Sequence, residues 1–216
     1  MGCETRRFDL TMLHAAYDAF RRDTARLEAV AEADGAFHGT AGTAVAKGWS
    51  LFRFHWRVQD LAEKSALWSV MYAKDADGPG RLGAVLDAMA LRAMRVVPLM
   101  DALDAAVERR DQLTFAQYTR DLRAAVGLLV EFKETDVLPL IPDTLTEFEW
   151  GTFDVEFRRE LGLRGLGVFL PWLLDGAPDA TRHAVLRLLP PPIRLAYRTS
   201  WRPRYRRRNR LAVPAC

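Results

Sequence analysis

The chain has 216 residues, half of them hydrophobic and 27% charged, which suits one good-sized domain with an extension or two small ones. No stretch approaches the roughly 18 consecutive apolar residues of a membrane span, and two cysteines, Cys3 and Cys216, give no disulfide framework and fit a reducing cytoplasm. The net charge of +3 hides an asymmetry, because seven arginines and no acid lie between Arg198 and Arg210, leaving the rest at about −4.

The start, MGCETRR, lacks the apolar centre of a signal peptide, so export is not expected. Its Gly2 and Cys3 weakly resemble an acylation start, but Thr5 stands one position too early. A first helix is expected over 9–33, with Asp9 as N-cap and Leu10, Leu13, Tyr17, Phe20 and Leu27 at helical spacing. His14 lies on the side of Leu10 and Tyr17. The glycines of DGAFHGT (34–40) end this helix.

A second helix is expected over 42–74, with Leu51, Phe54, His55, Val58, Ala62, Ala66 and Val70 on its inner face. Gln59 and Glu63 flank that stripe, and DADGPG (75–80) turns the chain. The third helix, 81–109, carries an a/d seam of Leu82, Leu86, Met89, Ala93, Val96, Met100 and Leu103, bent or broken by Pro98. The fourth, 114–140, starts at Thr114 and aligns Tyr118, Leu122, Ala125, Leu129 and Phe132, with Asp136 on the same stripe.

Four such helices with short connections and no strand pattern predict an all-α, antiparallel four-helix bundle over 1–145. Residues 146–216 read as a helical extension packed on that bundle and ending in the arginine-rich tail, not as a domain with its own core. Within the extension, Phe148, Trp150, Phe153, Phe157, Phe169 and Trp172 either wall an apolar ligand site or pack the extension down. GLRGLG (162–167) lacks the strand context of a dinucleotide site, and nucleophile motifs, P-loops and CxxC pairs are missing.

Several phrases resemble the hemerythrin-like (HHE cation-binding) family of actinobacterial type: LHAAYDAFRRDTARL, AEKSALW, VLDAMALRAMRVVPLMDALDAA, ETDVLPLI, and FLPWLLDG with LPPPIRLAYRTSWRPRY. The resemblance implies a four-helix bundle whose interior holds two iron ions between histidines and carboxylates. It places His14 at the first-helix ligand position, and Glu63 and Glu134 at carboxylate positions. Four histidine positions fall on Gln59, Ala93, Leu129 and Phe132, with Asp60 at a further one and Lys133 in place of an acid. Ala, Leu and Phe cannot ligate, so a di-iron centre is not expected and no cofactor is implied. Carboxylates left without metal need another cation, and Lys64, Lys133 and Arg92 are the candidates.

Three functions follow. The first is a small-molecule pocket in the vacated interior, in a metal-independent enzyme of specialised metabolism. There His14, Glu63, Asp60 and Glu134 would be catalytic, and Gln59, His55, Tyr17, Ala93, Phe132 and Arg92 would hold substrate. The second is a non-catalytic bundle that senses a ligand or docks a partner. The third is a reduced, single-metal site of His14, Glu63 and Glu134. Each residue also has a bland reading: His14 as a satisfied core histidine, Glu63 and Glu134 as hydrogen-bonded flanks, Asp136 at the solvated bundle end, and His55 with Trp56 as core. His38 and His183 carry little signal, and oligomeric state is not readable. In RTSWRPRYRRRNR, arginines interleave with Trp201 and Tyr205. Terminal charge runs are commonly solvated, which argues against nucleic acid and leaves an anionic membrane surface as a minor partner.

Overall fold

The computed structural model describes residues 8–33, 35–75 and 80–209. The start with Gly2 and Cys3, most of the DADGPG turn, the last arginine of the tail and Cys216 lie outside that set. The described residues are almost all helical, with no strand among them. No helix among them is long and apolar enough to cross a membrane.

Helix α1 spans Thr11–Glu32. Leu10 rather than Asp9 takes the boundary position, while the Asp9 carboxylate accepts from the Thr11 amide at 2.9 Å. Helix α2 spans Gly39–Glu63 and runs on through a π-helical turn, Lys64–Trp68, into Ser69–Lys74. The expected third helix is two, α3 (Arg81–Ala93) and α4 (Val96–Arg109). The break precedes Pro98 because a proline ring clashes with the carbonyl four residues back, here that of Met94. Breaking there puts Pro98 in the first turn of α4, where its missing N–H costs nothing.

Helix α5 spans Gln112–Phe132, starting two residues before Thr114, and Asp111 caps it by accepting from the Thr114 amide at 3.1 Å. A second π-helical turn, Lys133–Val137, a 3₁₀ turn, Leu138–Leu140, and a last turn, Ile141–Thr144, follow. Helix α6 spans Glu147–Leu173 and opens on a capping box between Thr146 and Glu149. Lys74 grips the same carboxylate at 2.6 Å and pushes its pKa down to about 2. Helix α7 spans Asp179–Arg187. Helix α8, Pro191–Ala196, continues through a third π-helical turn, Tyr197–Trp201, into Arg202–Asn209.

Side-chain pairs fix how the helices meet. Helices α1 and α5 run in opposite senses: Glu28 pairs with Arg123, and Arg21, earlier in α1, pairs with Glu134, just past the end of α5. Phe20 of α1 meets Phe52 and Trp56 of α2 edge-on. Trp49 of α2 donates to Asp104 of α4 at 2.6 Å, and Tyr72 donates to Asp87 of α3 at 3.0 Å. Leu13, Tyr17, Phe52, Leu86, Leu103, Phe115 and Leu122 are buried between these helices, worth about 1.5–3 kcal/mol for a large apolar side chain.

Helix α6 lies along the other face of α2, so α2 is covered twice. Phe169 and Trp172 of α6 belong to the same apolar cluster as Phe20 and Phe52. Helix α1 also anchors the end of α6. Arg22 donates to the Leu173 carbonyl at 2.7 Å, and Trp172 donates to Asp23 at 2.5 Å. The chain then leaves through Gly176, whose φ of +73° favours glycine. Trp201 packs where Gly167 has no side chain, which holds the C-terminal helix against α6.

Candidate functional site

Glu63 is completely buried, and Gln59 nearly so. Both sit in the interior rather than on the flank of α2. The expected inner stripe through His55 and Val58 is the buried face toward α6, and Phe54 on that stripe is 40% exposed. A second buried stripe, Val45, Trp49, Phe52, Gln59 and Glu63, faces the other helices. Two buried faces on one helix make a single-stripe reading choose one and demote the other.

Three donors converge on Glu63. Its Oε1 accepts from the Tyr17 hydroxyl at 2.9 Å and from Gln59 Nε2 at 2.8 Å. Its Oε2 accepts from Lys133 Nζ at 2.5 Å. The Lys133 side chain is 8% exposed, and its ammonium also lies over the rings of Tyr17 and Trp68. Burial, then the neighbouring Glu63 charge, push the Tyr17 phenol well above its usual pKa, so it stays a proton donor to the carboxylate. Two of the π-helical turns adjoin the pair: Glu63 immediately precedes the first, and Lys133 opens the second. The second turn continues a buried row of Phe115, Thr119, Leu122, Val126, Leu129 and Val130 through Lys133 to Val137. Asp136 stays exposed and accepts from Thr135.

The other expected site residues lie elsewhere. His14 is outside the core, with 48% of its side chain exposed, and its Nδ1 is 3.3 Å from Glu134. It is 100° round the helix from Leu13, the residue that the core takes instead. Arg21 holds the second oxygen of Glu134 at 2.5 Å, so Glu134, His14 and Arg21 form a surface cluster of their own. Asp60, next to Gln59, is half-buried and pairs with Lys64 at 2.7 Å rather than with Glu63's donors. Arg92 stacks on Phe132 at 3.9 Å and donates to the Ala88 carbonyl, beside half-buried Ala93. Of the three candidate cations, Lys133 is the one that meets Glu63.

His55 is completely buried, and neither ring nitrogen has a hydrogen-bond partner among the described residues. It stacks on Trp172 at 4.2 Å and meets Phe169 edge-on. Burial pushes its pKa down to about 3, so the imidazole is neutral and serves as a packing ring. Trp150, Phe153, Phe157, Phe169 and Trp172 form a chain of ring contacts, whereas Phe148 is 84% exposed.

Beside Tyr17, Gln59 and Lys133 is a cavity of about 10 Å³, also bordered by Phe20, Trp56, Asp60 and Val130. That is room for about one water molecule. Phe20, Trp56 and the Lys133 stem leave no larger space there. Among the described residues, no group of three or more His, Cys, Asp or Glu side chains converges to hold a metal. A phenol, an amide and an ammonium around one carboxylate do not fit two iron ions.

A second concavity, of about 300 Å³, opens between α7 and the C-terminal helix. Its lining includes Arg182, Arg187, Arg194 and Tyr197, none of which the sequence reading singles out. The readable signal is the four-residue step Arg194, Arg198, Arg202, which puts three guanidinium groups on one side of a helix.

No protein-family model, curated protein or solved structure matches the chain.

Proposed function

We propose that the chain is a hemerythrin-like four-helix bundle without a di-iron centre, acting as a non-catalytic protein that senses a ligand or docks a partner. Helices α1, α2, α3 with α4, and α5 are the four members, and α6 to α8 are the extension. The observation that carries this reading is Lys133 Nζ at 2.5 Å from Glu63 in a buried site. A carboxylate built into a core needs a positive charge, and here the chain supplies its own in place of a metal. Tyr17 and Gln59 take the remaining acceptor capacity, so Glu63 has little left to offer an ion or a substrate.

The enzyme reading needs substrate space beside Glu63, and the cavity there has room for a water molecule. The single-metal reading needs His14, Glu63 and Glu134 to converge, and instead His14 pairs with one oxygen of Glu134 while Arg21 holds the other. Metal analysis tests the proposal. After anaerobic exposure to Fe(II) or Mn(II) and desalting, the protein is expected to retain only traces of either. One equivalent of metal, lost on Glu63→Gln, contradicts it.

A further inference from the structure

After Asp179 the chain carries ten arginines and not one acidic side chain. The fold does not spread these charges evenly. Arg182 and Arg187 of α7 face Arg194, Arg198 and Arg202 of the C-terminal helix across one cleft of about 300 Å³, floored by Leu186 and Tyr197. Among the described residues, Arg182 is the one member with an ion pair, to Asp179 at the start of its own helix. Arg194 and Arg202 are half-buried and Arg187 and Arg198 are exposed, so the cleft brings partly desolvated and solvated cations to one recess. Like charges held this way repel, and the arrangement becomes favourable when an anion enters.

We infer that this cleft is a binding site for a small ligand carrying two or more phosphate groups. Guanidinium forks match phosphate oxygens in pairs, and the four without an ion pair around one recess exceed what a single phosphate can use. The volume falls at the lower end of small-molecule pockets, at about 300–1,000 Å³. The tail's aromatics argue against stacked nucleic-acid bases. Tyr197 and Tyr205 are buried and Trp201 packs on Gly167, so these rings serve the protein's interior. Two sources offer the same chemistry: a soluble phosphorylated metabolite, and the phosphorylated headgroup of a lipid. Leu188 and Leu195, exposed beside the cleft in sequence, make the second worth a separate arm.

The assignment names a ligand for the non-catalytic reading and rests on it. Calorimetric titration of the full chain with inorganic tripolyphosphate is the test. Saturable binding at one site is expected, weakened by about tenfold or more in Arg194→Ala and in Arg198→Ala, and little changed in Arg120→Ala on α5. Sedimentation with phosphatidylcholine vesicles, with and without phosphatidylinositol bisphosphate, separates the sources. Capture by the phosphorylated vesicles that tripolyphosphate reverses assigns a lipid headgroup, and absence of capture assigns a soluble ligand. Failure of tripolyphosphate to saturate overturns the inference, as does an equal loss in Arg120→Ala. Tighter binding of single-stranded DNA that rises with its length also overturns it. Stoichiometric iron in the interior would remove the non-catalytic reading while leaving tripolyphosphate binding in place, so the two failures are distinct.

Discussion

The interior of the helical assembly and the cleft at its C-terminal end treat cations in opposite ways. Inside, the Lys133 ammonium meets a carboxylate at 2.5 Å that also has two neutral donors. In the cleft, Arg187, Arg194, Arg198 and Arg202 gather without an acidic partner among the described residues. The difference follows from solvent. A buried charge must be matched within the fold, because water cannot reach it. A charge at the surface is hydrated, and can stay unmatched until a ligand replaces that water. The interior therefore reads as finished and the cleft as open to a ligand.

Breaking the finished site gives the largest expected effect. Lys133→Met leaves Glu63 buried without its cation, and about 3–5 kcal/mol of stability is expected to disappear in urea denaturation. Trp172→Phe keeps a ring against Phe20 and His55 but takes the donor from Asp23, a carboxyl that burial already pushes above its usual pKa. About 1–3 kcal/mol is expected to go, measured the same way.

A third experiment concerns pH. Below its ordinary pKa of 6.5 the His55 imidazole takes a proton in the unfolded chain, while the folded chain refuses it down to about 3. Stability is therefore lost as pH falls through that window, by about 1.4 kcal/mol per pH unit from this group. In His55→Phe the slope between pH 6.5 and 5, above the main carboxylate range, is expected to flatten. The smallest effects belong to the surface. His14→Ala and Arg198→Ala are expected to change stability by no more than about 0.5 kcal/mol, because water solvates what each leaves behind. A loss at Arg198 as large as that at Lys133 would erase the contrast between the two regions.

The helices up to residue 140 are legible in chain order, apart from the break before Pro98, because apolar spacing and the glycine-rich breaks mark them. Glu63 is among the carboxylates the sequence marks, and Lys133 is among the cations expected to compensate it. What periodicity missed came from features that a single helix does not carry. The second covered face of α2 exists because α6 lies on it, and no pattern in 39–63 says so. The π-helical turn from Lys133 onward alters the spacing that the seam through Phe132 and Asp136 assumes. Pro98 signalled a break, but the clash acts at the carbonyl four residues back, so the helix parts at 94–95. The cleft was hidden because the tail looked like a solvated charge run, and its other wall, Arg182 and Arg187, belongs to a different helix.

The central claim is that Glu63 and Lys133 compensate each other, and a double-mutant cycle in urea tests it most directly. Glu63→Leu and Lys133→Met are each expected to lose about 3–5 kcal/mol. The double variant, with no buried charge left at the pair, is expected to lose far less than the two together, a coupling near the upper end of the roughly 0.5–3 kcal/mol range for residues in contact. Additive losses, or a Lys133→Met protein restored to full stability by one equivalent of Fe(II), would contradict the account.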